Sequence, residues 1–484
     1  MPVLDNLQPA RVMHFFEELA AIPHGSGNTK AISDYCVRFA EDRGLEYQQD
    51  GLNNVIIIKE ATKGYEDAPA VILQGHLDMV CEKDPDCDVD MTKEGLRLAT
   101  DGEWIWAEGT TLGGDNGIAV AMALALLDSK DLPHPRVEIV LTSDEEIGLL
   151  GATGLQTDIL QGRYMINADS EDEGVLTISC AGGIRANCHI PVEREMTFGR
   201  LCRVSIKDLT GGHSGLKIID GGANANVLMG RLLYGLSREM ALRIVELSGG
   251  MADNAIAAFS EAQLLVPEEE AERLCAIVTS YAEIFCAEFG DTDPELTVET
   301  VLEPSAEVPA LTLAASARVT SALMILPNGV QTMSHHIPGL VQTSLNLGIL
   351  RLEESCAVAS FSVRSSIATE KAMMCNKIDC LSVALGGETT FAGDYPGWAY
   401  KPDSKLRDLV AEVYEQQNGK KVVVEAIHAG LECGIFAGKI PGLDCVSLGP
   451  EMEHIHSPQE RLSVGSTERT WKLICEVLAR AKEL

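Results

Sequence analysis

The 484-residue chain is poor in basic residues, and this shortage excludes several kinds of partner. It carries 38 lysines and arginines against 72 aspartates and glutamates, which gives a formal net charge of −34 at pH 7. Such an excess of negative charge argues against nucleic acid and against an anionic membrane as partners. Its simplest meaning is a solvated acidic surface rather than an acidic segment with a function of its own.

Long apolar runs are missing as well. The most apolar helix candidate, residues 117–127, is eleven residues long, whereas a membrane-spanning helix needs about 18–20. The first ten residues contain no basic segment followed by an apolar one, so no secretory signal peptide is indicated. The 14 cysteines show neither a Cys-x-x-Cys pair nor a disulfide-like spacing, which favours buried thiols in a reducing compartment. We therefore expect a cytoplasmic protein with no membrane partner.

The apolar pattern predicts an α/β fold in both terminal parts of the chain. Short β-branched runs alternate with helical patterns in the first third, and the same alternation returns after Trp398. This alternation is typical of a mostly parallel sheet covered by helices. The predicted elements are helices at 9–21, 28–43, 117–127, 406–416 and 467–482, and strands at 55–58, 71–73, 137–141, 164–166, 422–426 and 443–447.

The middle of the chain has a different, α+β pattern, and a chain of this length is expected to form two domains. We predict a catalytic domain made of residues 1–184 and 398–484, with residues 185–397 inserted as a second domain. The segments 180–183 and 394–398 are candidate hinges. The elements predicted for the middle are helices at 224–242 and 268–289, and strands at 201–206, 341–350 and 357–363.

Histidine and acidic side chains follow several of these elements. The carboxyl ends of parallel strands lie at one edge of a sheet, so the residues after 73, 141 and 166 should meet there. The set uses His, Asp and Glu but no Cys, which suits a hydrolytic metal site better than a structural one. Its members are His76, Asp78, Asp115, Glu145, Glu146, Asp169 and His456.

Each of these motifs also has an ordinary structural explanation. His76 and Asp78 face the same way on an extended backbone, as a metal ligand and its orienting carboxylate would, but a lone His-x-Asp is more often structural. Asp115 follows two glycines at a helix entrance, where taken alone it is better explained as a cap. A phosphate cradle is disfavoured there, because the glycine spacing matches no phosphate-binding motif and a carboxylate repels phosphate.

Glu145 and Glu146 are adjacent, so on an extended backbone they would project to opposite sides. One could then bind a metal while the other handles a water molecule, although an isolated acidic pair is more often a solvated strand end. All the motifs occur in order, and most lie beside strand ends or a tight glycine turn. This combination favours the functional interpretation of the whole set.

These motifs resemble those of one family, the M20 dinuclear zinc peptidases. The similarity is greater still to the bacterial aminoacyl-histidine dipeptidase group, and it extends over nearly the whole chain. The family signature is His-Leu-Asp at 76–78, Gly-Gly-Asp-Asn-Gly at 113–117, Asp-Glu-Glu at 144–146, Asn-Ala-Asp-Ser at 167–170 and His-Ser-Pro at 456–458. The group also shares the patterns at 22–24, 180–183, 211–215, 327–330, 395–398 and 428–434.

The resemblance implies two Zn²⁺ ions per subunit, with Mn²⁺ or Co²⁺ as substitutes. It also implies a cis peptide bond between Asp115 and Asn116. His454 lies two residues before His456, but the following Ser-Pro pair favours His456 as the ligand. The implied ligands are Asp115 bridging both ions, His76 and Asp169 on one ion, and Glu146 and His456 on the other.

The resemblance also implies catalytic roles. Glu145 would be the general base that takes a proton from a metal-bridged water, and Asp78 would orient His76. His213 lies in a Gly-rich loop of the inserted domain, and from the residues alone it is more often a capped turn histidine. The family pattern implies that His213 stabilises the oxyanion, in its own or the partner subunit.

Three further residues are candidates for substrate contacts. Arg364 resembles the family's clamp for the substrate C-terminal carboxylate, a task suited to the fork of a guanidinium. Asn254 is a weaker candidate, and Glu432 is a candidate for binding the free amine of the substrate. Either of these two could instead be a turn residue.

The implied function is a metal-dependent dipeptidase that hydrolyses unblocked dipeptides, including Xaa-His dipeptides such as β-alanyl-histidine. The inserted domain would serve as a lid and hold a homodimer together. A carboxypeptidase or another small-amide hydrolase of the same family is one alternative. A non-catalytic metal-binding or assembly protein is another, although the intact Glu145 and the full ligand set argue against it. The absence of a phosphate loop makes a nucleotide-binding enzyme a poor third.

Overall fold

The structure is a computed structural model that describes residues 2–484. The chain forms two compact units. The terminal unit contains the chain up to Cys180 together with Tyr400–Ala426 and Leu431–Leu484, and the middle unit contains Ala181–Ala399 and Ile427–Gly430. Each unit is therefore assembled from segments that are distant in sequence.

The first part of the terminal unit alternates helices and strands. Its first helix buries Phe15 and Phe16 on one face, and its second ends at Gly44, whose φ of 62° permits the left-handed cap. The elements are helices α1 (Ala10–Ala20), α2 (Lys30–Arg43), α3 (Gly114–Asp128) and α4 (Leu150–Gly154), and strands β1 (Glu46–Gln49), β2 (Val55–Lys59), β3 (Val71–His76), β4 (Leu98–Thr100), β5 (Trp104–Ala107), β6 (Val137–Thr142), β7 (Tyr164–Asn167) and β8 (Val175–Cys180).

The middle unit is built mainly from antiparallel strands with helices packed against them. Its strands are β9 (Gly182–Pro191), β10 (Arg194–Lys207), β11 (Gly212–His213), β12 (Arg243–Gly249), β13 (Ala255–Ile256), β14 (Ser260–Val266), β15 (Thr297–Leu311), β16 (Gly329–Met333), β17 (Val341–Leu352), β18 (Cys356–Ser365) and β19 (Glu388–Tyr395). Its helices are α5 (Ala225–Glu239), α6 (Ala271–Phe289), α7 (Leu313–Ile325) and α8 (Ala368–Ala384).

The last part of the chain completes the terminal unit. Ser404 and Ser463 begin two of its helices, because each hydroxyl accepts a backbone N–H of the first turn. The elements are helices α9 (Lys405–Asn418), α10 (Glu432–Lys439) and α11 (Val464–Ala479), and strands β20 (Val423–Ile427), β21 (Asp444–Ser447), β22 (Met452–Glu453) and β23 (Arg461–Ser463).

The predicted α/β fold class is confirmed, and the large sheet of the terminal unit has a mixed strand arrangement. Within the described residues its order is β1-β2-β6-β3-β7-β21-β8-β20. The four strands β6, β3, β7 and β21 are parallel, whereas β1 pairs antiparallel with β2, β2 with β6, and β8 with β21. The predicted parallel arrangement therefore describes the centre of the sheet, where the site residues are attached.

Helix α3 packs against β3 and α1 and is buried on almost every face from Gly117 to Leu127. This burial explains its uniformly apolar sequence, because a helix without a polar face must be enclosed. A short antiparallel sheet, β22-β23-β5-β4, lies in the same unit and includes the strand that follows the His456 loop. Within residues 2–484, no helix combines the length and the apolar character that a membrane span requires.

The middle unit has its own apolar core between one large sheet and its helices. The order of the sheet is β15-β10-β14-β12-β17-β18-β9-β19, and β16 pairs with β17. One prediction differs here: the helix expected to reach residue 242 ends at Glu239. Met240 is extended at φ −152° and ψ 160°, and β12 starts at Arg243.

Candidate active site

The site residues meet because the parallel strands end together. The register sets His76 opposite Thr142 and Gln74 opposite Asn167, and Asn167 is in turn opposite Ser447. The loops that leave these strands therefore start at one edge of the sheet. They carry Asp78, Glu145 with Glu146, and Asp169, whereas His456 lies between β22 and β23, after the end of β21.

Asp115 lies between two histidines and presents a different oxygen to each. The Nε2 atom of His76 is 3.1 Å from Oδ1 of Asp115, and Nε2 of His456 is 3.1 Å from Oδ2. Nε2 of His76 is also 3.3 Å from Oδ1 of Asp169. Nε2 of His456 is 2.9 Å from Oε1 of Glu146. The residues predicted as metal ligands thus form two half-sites that share Asp115.

The donor set of this cluster suits divalent cations. Ligand atoms of His76, Asp115 and Glu146 lie within 4.8 Å of one another. Nδ1 of His76 lies 2.9 Å from the backbone oxygen of Asp78. A carbonyl only accepts, so Nδ1 carries a proton, and a bound cation would replace the Nε2 proton that faces the carboxylates of Asp115 and Asp169. Imidazole nitrogens with carboxylate oxygens are a ligand set that Zn²⁺ accepts, and the cluster is a candidate metal site.

The electrostatics of the cluster point the same way. Burial raises the pKa of Glu145 to about 9. The charge of His76 lowers this pKa, but the neighbouring carboxylates of Asp169, Glu432 and Glu146 oppose that effect. Burial likewise raises the pKa of Asp169 to about 6. Hydrogen bonds to Asp115 and Glu146 raise the pKa of His456 to about 10. Carboxylates that are buried so close together that they keep protons favour the binding of a cation, because its charge offsets their mutual repulsion.

Asp78 holds Glu145 and Glu146 through their backbones. Its Oδ1 accepts the N–H of Glu145 at 3.0 Å and its Oδ2 accepts that of Glu146 at 3.3 Å. The Ser26 hydroxyl donates to Oδ2 at 2.8 Å. Burial would raise the pKa of Asp78, but His76 and the Glu145 N–H lower it overall. Asp78 is therefore a fixed carboxylate behind both His76 and Glu145.

The acidic pair departs from the extended backbone that the sequence suggested. Strand β6 ends at Thr142, Asp144 has a φ of +53°, and the chain then enters a turn. The Glu145 carbonyl accepts the N–H groups of Gly148 and Leu149 at 2.9 and 2.8 Å. Glu145 and Glu146 therefore have different surroundings because they lie in a turn, and not because side chains alternate along a strand.

Asn116 connects three of the ligand-bearing segments, and the sequence analysis did not assign it a role. Its peptide bond with Asp115 is cis, as predicted. Its side-chain oxygen accepts the N–H of His76 at 3.0 Å, and its side-chain nitrogen donates to the Ala168 carbonyl at 2.6 Å. The side chain is fully buried. Asn116 thus joins the segments that carry His76, Asp115 and Asp169.

Glu432 belongs to a buried polar network beneath the cluster. Its carboxylate accepts hydrogen bonds from Gln74 and from the Thr142 hydroxyl, the latter at 2.7 Å. Burial raises its pKa to about 8. The side chain of Glu432 is fully buried, so its packing favours a supporting role over a direct contact with a substrate amine. The amine contact itself stays a prediction.

The other candidate residues come together in the middle unit. Nη2 of Arg364 is 3.4 Å from Nε2 of His213, and Nη1 of Arg364 is 3.1 Å from the Tyr395 hydroxyl. Nδ1 of His213 accepts the Leu216 N–H at 3.3 Å. Burial and Arg364 lower the pKa of His213, which favours the neutral imidazole. Asn254 is exposed, next to β13, which pairs with the strand of His213.

Comparison with known proteins gives consistent results over the full chain. Residues 72–480 match the family described as peptidase family M20/M25/M40. A cytosol non-specific dipeptidase of Escherichia coli strain K12 is 37% identical over 481 residues, covering 99% of each chain. The crystal structure of an aminoacylhistidine dipeptidase from Vibrio alginolyticus superposes with a TM-score of 0.93 at 36% identity, covering 99% of this chain and 98% of the other.

A more distant structure shares the fold alone. An aminopeptidase of Bacillus cereus superposes with a TM-score of 0.55 at 15% identity, over 98% of this chain and 99% of the other. The family match spans most of the chain and includes every member of the metal cluster described above. The full-length relative at 37% identity agrees with it. On these grounds the chain belongs to the M20/M25/M40 family of peptidases.

Proposed function

We propose that the protein is a dinuclear metal-dependent dipeptidase that hydrolyses unblocked dipeptides, with Xaa-His dipeptides such as β-alanyl-histidine among its substrates. The native ions would be two Zn²⁺, with Mn²⁺ or Co²⁺ as substitutes. The observation that carries the proposal is the position of Asp115, whose two oxygens each face a different histidine. One carboxylate shared between two half-sites is what a pair of cations bridged by a single Asp requires.

The chain supplies the groups that the hydrolysis needs. A pair of divalent cations, when bound, would polarise the peptide carbonyl and lower the pKa of a water molecule. Glu145 takes a proton from the attacking water and returns it to the leaving amine. Burial and then the neighbouring carboxylates raise the pKa of Glu145, and bound cations would lower this pKa into the range of a useful base. Asp78 fixes the backbone of Glu145 and the ring of His76 during these steps.

The middle unit would supply the groups that hold the substrate. His213 would act as a neutral imidazole that donates from Nε2 to a developing oxyanion, while its Nδ1 accepts the Leu216 N–H. Nε of Arg364 is buried and has no hydrogen-bond partner among residues 2–484. A buried guanidinium N–H without a partner favours an anionic ligand, and the C-terminal carboxylate of a dipeptide is such a ligand. Asn254 would contact the substrate from the loop beside His213.

The substrate class rests on the two full-length relatives. The Escherichia coli protein is named a non-specific dipeptidase, and the Vibrio protein is named an aminoacylhistidine dipeptidase. Both names describe the hydrolysis of dipeptides, but they differ in breadth. We therefore propose a broad dipeptidase activity that includes Xaa-His substrates.

We also propose a cytoplasmic homodimer that associates through the middle unit, with that unit acting as the lid of the site. The cytosolic relative and the free state of all 14 cysteines support the location. Strand β15 is the edge of the middle sheet, and on the neighbouring β10 the side chains of Met196 and Phe198 are 60% and 70% exposed. An exposed apolar surface beside a long edge strand favours association.

The test is hydrolysis of a dipeptide panel by protein loaded with Zn²⁺ or Mn²⁺. The panel contains β-alanyl-histidine, α-linked Xaa-His dipeptides, dipeptides without histidine, a tripeptide and an N-acetylated dipeptide. We expect cleavage of the free dipeptides alone, and loss of cleavage after treatment with a chelator. Glu145→Gln should reduce kcat by about 100- to 10,000-fold while two metal equivalents stay bound.

Glu138→Gln is the matched control, because Glu138 is a buried carboxylate of β6, the strand before Glu145, and its hydrogen-bond partners are Arg136, Gln161 and Gly162, none of them in the cluster. This variant should keep kcat and metal content. Cleavage of the acetylated dipeptide or the tripeptide instead of the free dipeptides would contradict the dipeptidase proposal and would indicate another small-amide hydrolase. Two bound metals without any cleavage would point to a binding protein.

A further inference from the structure

The carboxylate of Glu460 accepts hydrogen bonds from the backbone of the loop that carries Asp115. Oε2 of Glu460 accepts the N–H groups of Leu112 and Gly113 at 2.7 and 3.1 Å. Oε1 accepts those of Gly114 and Asp115 at 2.8 and 3.3 Å. The side chain is 2% exposed. One buried carboxylate therefore receives four consecutive backbone donors, the last of them from the bridging residue itself.

The Asp115 loop needs an acceptor of this kind. The first backbone N–H groups of a helix have no partners within the helix, and here the helical geometry is further interrupted at Asp115 and Asn116. A carboxylate is the favourable partner at such a position, because it accepts several bonds and complements the helix dipole. A Cβ atom at Gly114 would lie 3.2 Å from Oε1 of Glu460, so the glycine permits the close approach of the carboxylate.

The same residue ends the loop that carries His456. The N–H of Glu460 donates to the Ser457 carbonyl at 3.0 Å, and the Ser457 hydroxyl donates to the His454 carbonyl at 2.6 Å. His454 and His456 both have positive φ angles, of 55° and 58°. Non-glycine residues adopt such angles where the surrounding contacts enforce them. Glu460 thus fastens a constrained loop with one histidine to the loop with Asp115.

We propose that Glu460 is a positioning residue of the metal site, which sets the distance between Asp115 and His456 by bonding both loops at once. This role rests on the proposed function, since it concerns the shared carboxylate of the two half-sites. The sequence motif around His456 gives no role to Glu460, because its partners lie almost 350 residues earlier, at 112–115. A helix cap without influence on the metals is the simpler alternative, and the experiment separates the two.

The experiment uses the full-length protein with Glu460→Gln and measures Zn²⁺ affinity by competition with a chelating dye. Glutamine has nearly the same shape, but its amide group is a donor and would face two backbone donors. The loop then loses half of its acceptors, so we expect Zn²⁺ affinity to fall about 10- to 100-fold, as for other residues that support metal ligands. The visible spectrum of the Co²⁺ form should change, and kcat should fall with little change in KM.

Glu138→Gln is again the matched control. Glu138 is fully buried and accepts the N–H groups of Gln161 and Gly162 at 3.0 Å. It lies four residues before Thr142 on β6, roughly 13 Å from the strand end that carries the cluster. Both variants should lower Tm, because each leaves buried donors without an acceptor, but Glu138→Gln should leave Zn²⁺ affinity and the Co²⁺ spectrum unchanged.

A second variant, Gly114→Ala, keeps the charge of Glu460 but places a Cβ atom 3.2 Å from its Oε1 and 3.2 Å from Sδ of Met452, and it serves if Glu460→Gln does not fold. It should weaken Zn²⁺ binding in the same direction by a smaller factor. Glu460→Gln and Gly114→Ala could both keep the wild-type Zn²⁺ affinity and Co²⁺ spectrum while Tm falls as in the control. That result would show that Glu460 is a structural cap and does not position the metal site. A wild-type protein that binds no Zn²⁺ would overturn the proposed function as well, so the two failures are distinguishable.

Discussion

Asn116 accepts the backbone N–H of His76 through its side-chain oxygen at 3.0 Å. The same side chain donates to the Ala168 carbonyl, next to Asp169, at 2.6 Å. Neither partner is a neighbour of Asn116 in the sequence, and neither bond involves a side chain that would bind a metal. Asn116 therefore fixes the backbone at His76 and beside Asp169, two of the proposed ligands.

Asn116→Ala should therefore weaken both the fold and the metal site. The variant leaves a buried N–H and a buried carbonyl without partners, which should cost about 2–4 kcal/mol of unfolding free energy. The strand end at His76 and the loop at Asp169 would then be free to separate, so Zn²⁺ affinity should fall about 10- to 100-fold. Urea unfolding of the metal-free protein and dye competition for Zn²⁺ measure the two effects.

The matched control for Asn116→Ala is Asn418→Ala. Asn418 also donates its side-chain N–H to a carbonyl, that of Tyr414, at 3.1 Å, but at the end of α9. Its replacement should leave Zn²⁺ affinity unchanged. If Asn116→Ala lost stability but kept wild-type affinity, the side chain would support the fold without positioning the ligands.

Gly75 is required by the same contact. A Cβ atom at this position would lie 2.3 Å from Oδ1 of Asn116 and 2.9 Å from Cβ of Ala119. Gly75→Ala should therefore displace Asn116 or α3, at a cost of about 1–3 kcal/mol, and should reduce Zn²⁺ affinity. Thermal unfolding with and without Zn²⁺ measures both. Gly51→Ala is the control, because nothing lies within 4 Å of its added Cβ; equal effects of the two variants would contradict the explanation.

The parts of the fold that depend on local pattern were predictable from the sequence. Alternating β-branched runs and helices predicted the parallel centre of the sheet, and the rule that such strands end at one edge brought His76, Glu145 and Asp169 together. The antiparallel outer strands were not predicted, because a short apolar run in the sequence does not indicate whether the strand paired with it is parallel or antiparallel. The turn at Asp144 was missed as well, since a positive φ at an aspartate has no clear sequence signal.

The residues that hold the site were less predictable than those that face its centre. Ligands form motifs because they must be His, Asp or Glu at fixed places. Asn116 and Glu460 act through backbone partners elsewhere in the chain, and no spacing rule connects them to those partners. Glu460 follows His456 by four residues, but nothing in that spacing indicates that its carboxylate binds the backbone of residues 112–115.

Stability should depend on pH through His428, a buried histidine of the middle unit. Its Nε2 lies 2.7 Å from the Ser344 hydroxyl. Burial, followed by the charges of Arg364 and His213, lowers its pKa to about 3 from the usual 6.5. The unfolded chain binds this proton at higher pH than the folded chain does. The contribution of His428 is therefore complete above pH 6.5 and is lost as the pH falls towards 3, by roughly 3–5 kcal/mol in total.

Urea unfolding of the metal-free protein between pH 7 and pH 4 measures this contribution. His428→Gln cannot titrate, so its stability should fall less steeply than that of the wild type over this range. The difference between the two proteins removes the effect of carboxylates that titrate in both. Parallel curves for the wild type and His428→Gln would show that the histidine does not stay neutral in the folded protein.

Arg364 should determine how tightly the substrate carboxylate is bound. Its Nη1 and Nη2 atoms are directed to Tyr395 and His213, and its buried Nε has no partner among residues 2–484. Arg364→Lys keeps the charge but loses the planar fork. Loss of one charge-assisted hydrogen bond, about 1.5–3 kcal/mol, should raise KM for free dipeptides about 10- to 100-fold. The kcat value should change less, because the carboxylate is bound equally before and during the reaction.

Comparison of a dipeptide with its C-terminal amide separates this role from general damage. The amide lacks the anionic group, so the wild type should hydrolyse it with a much higher KM, whereas Arg364→Lys should treat the two substrates more alike. Arg351→Lys, an exposed change on the neighbouring strand β17, should leave the preference unchanged. If Arg364→Lys raised KM equally for the acid and the amide, the guanidinium would shape the middle unit instead of binding the carboxylate, and the anion would have to be bound by another residue.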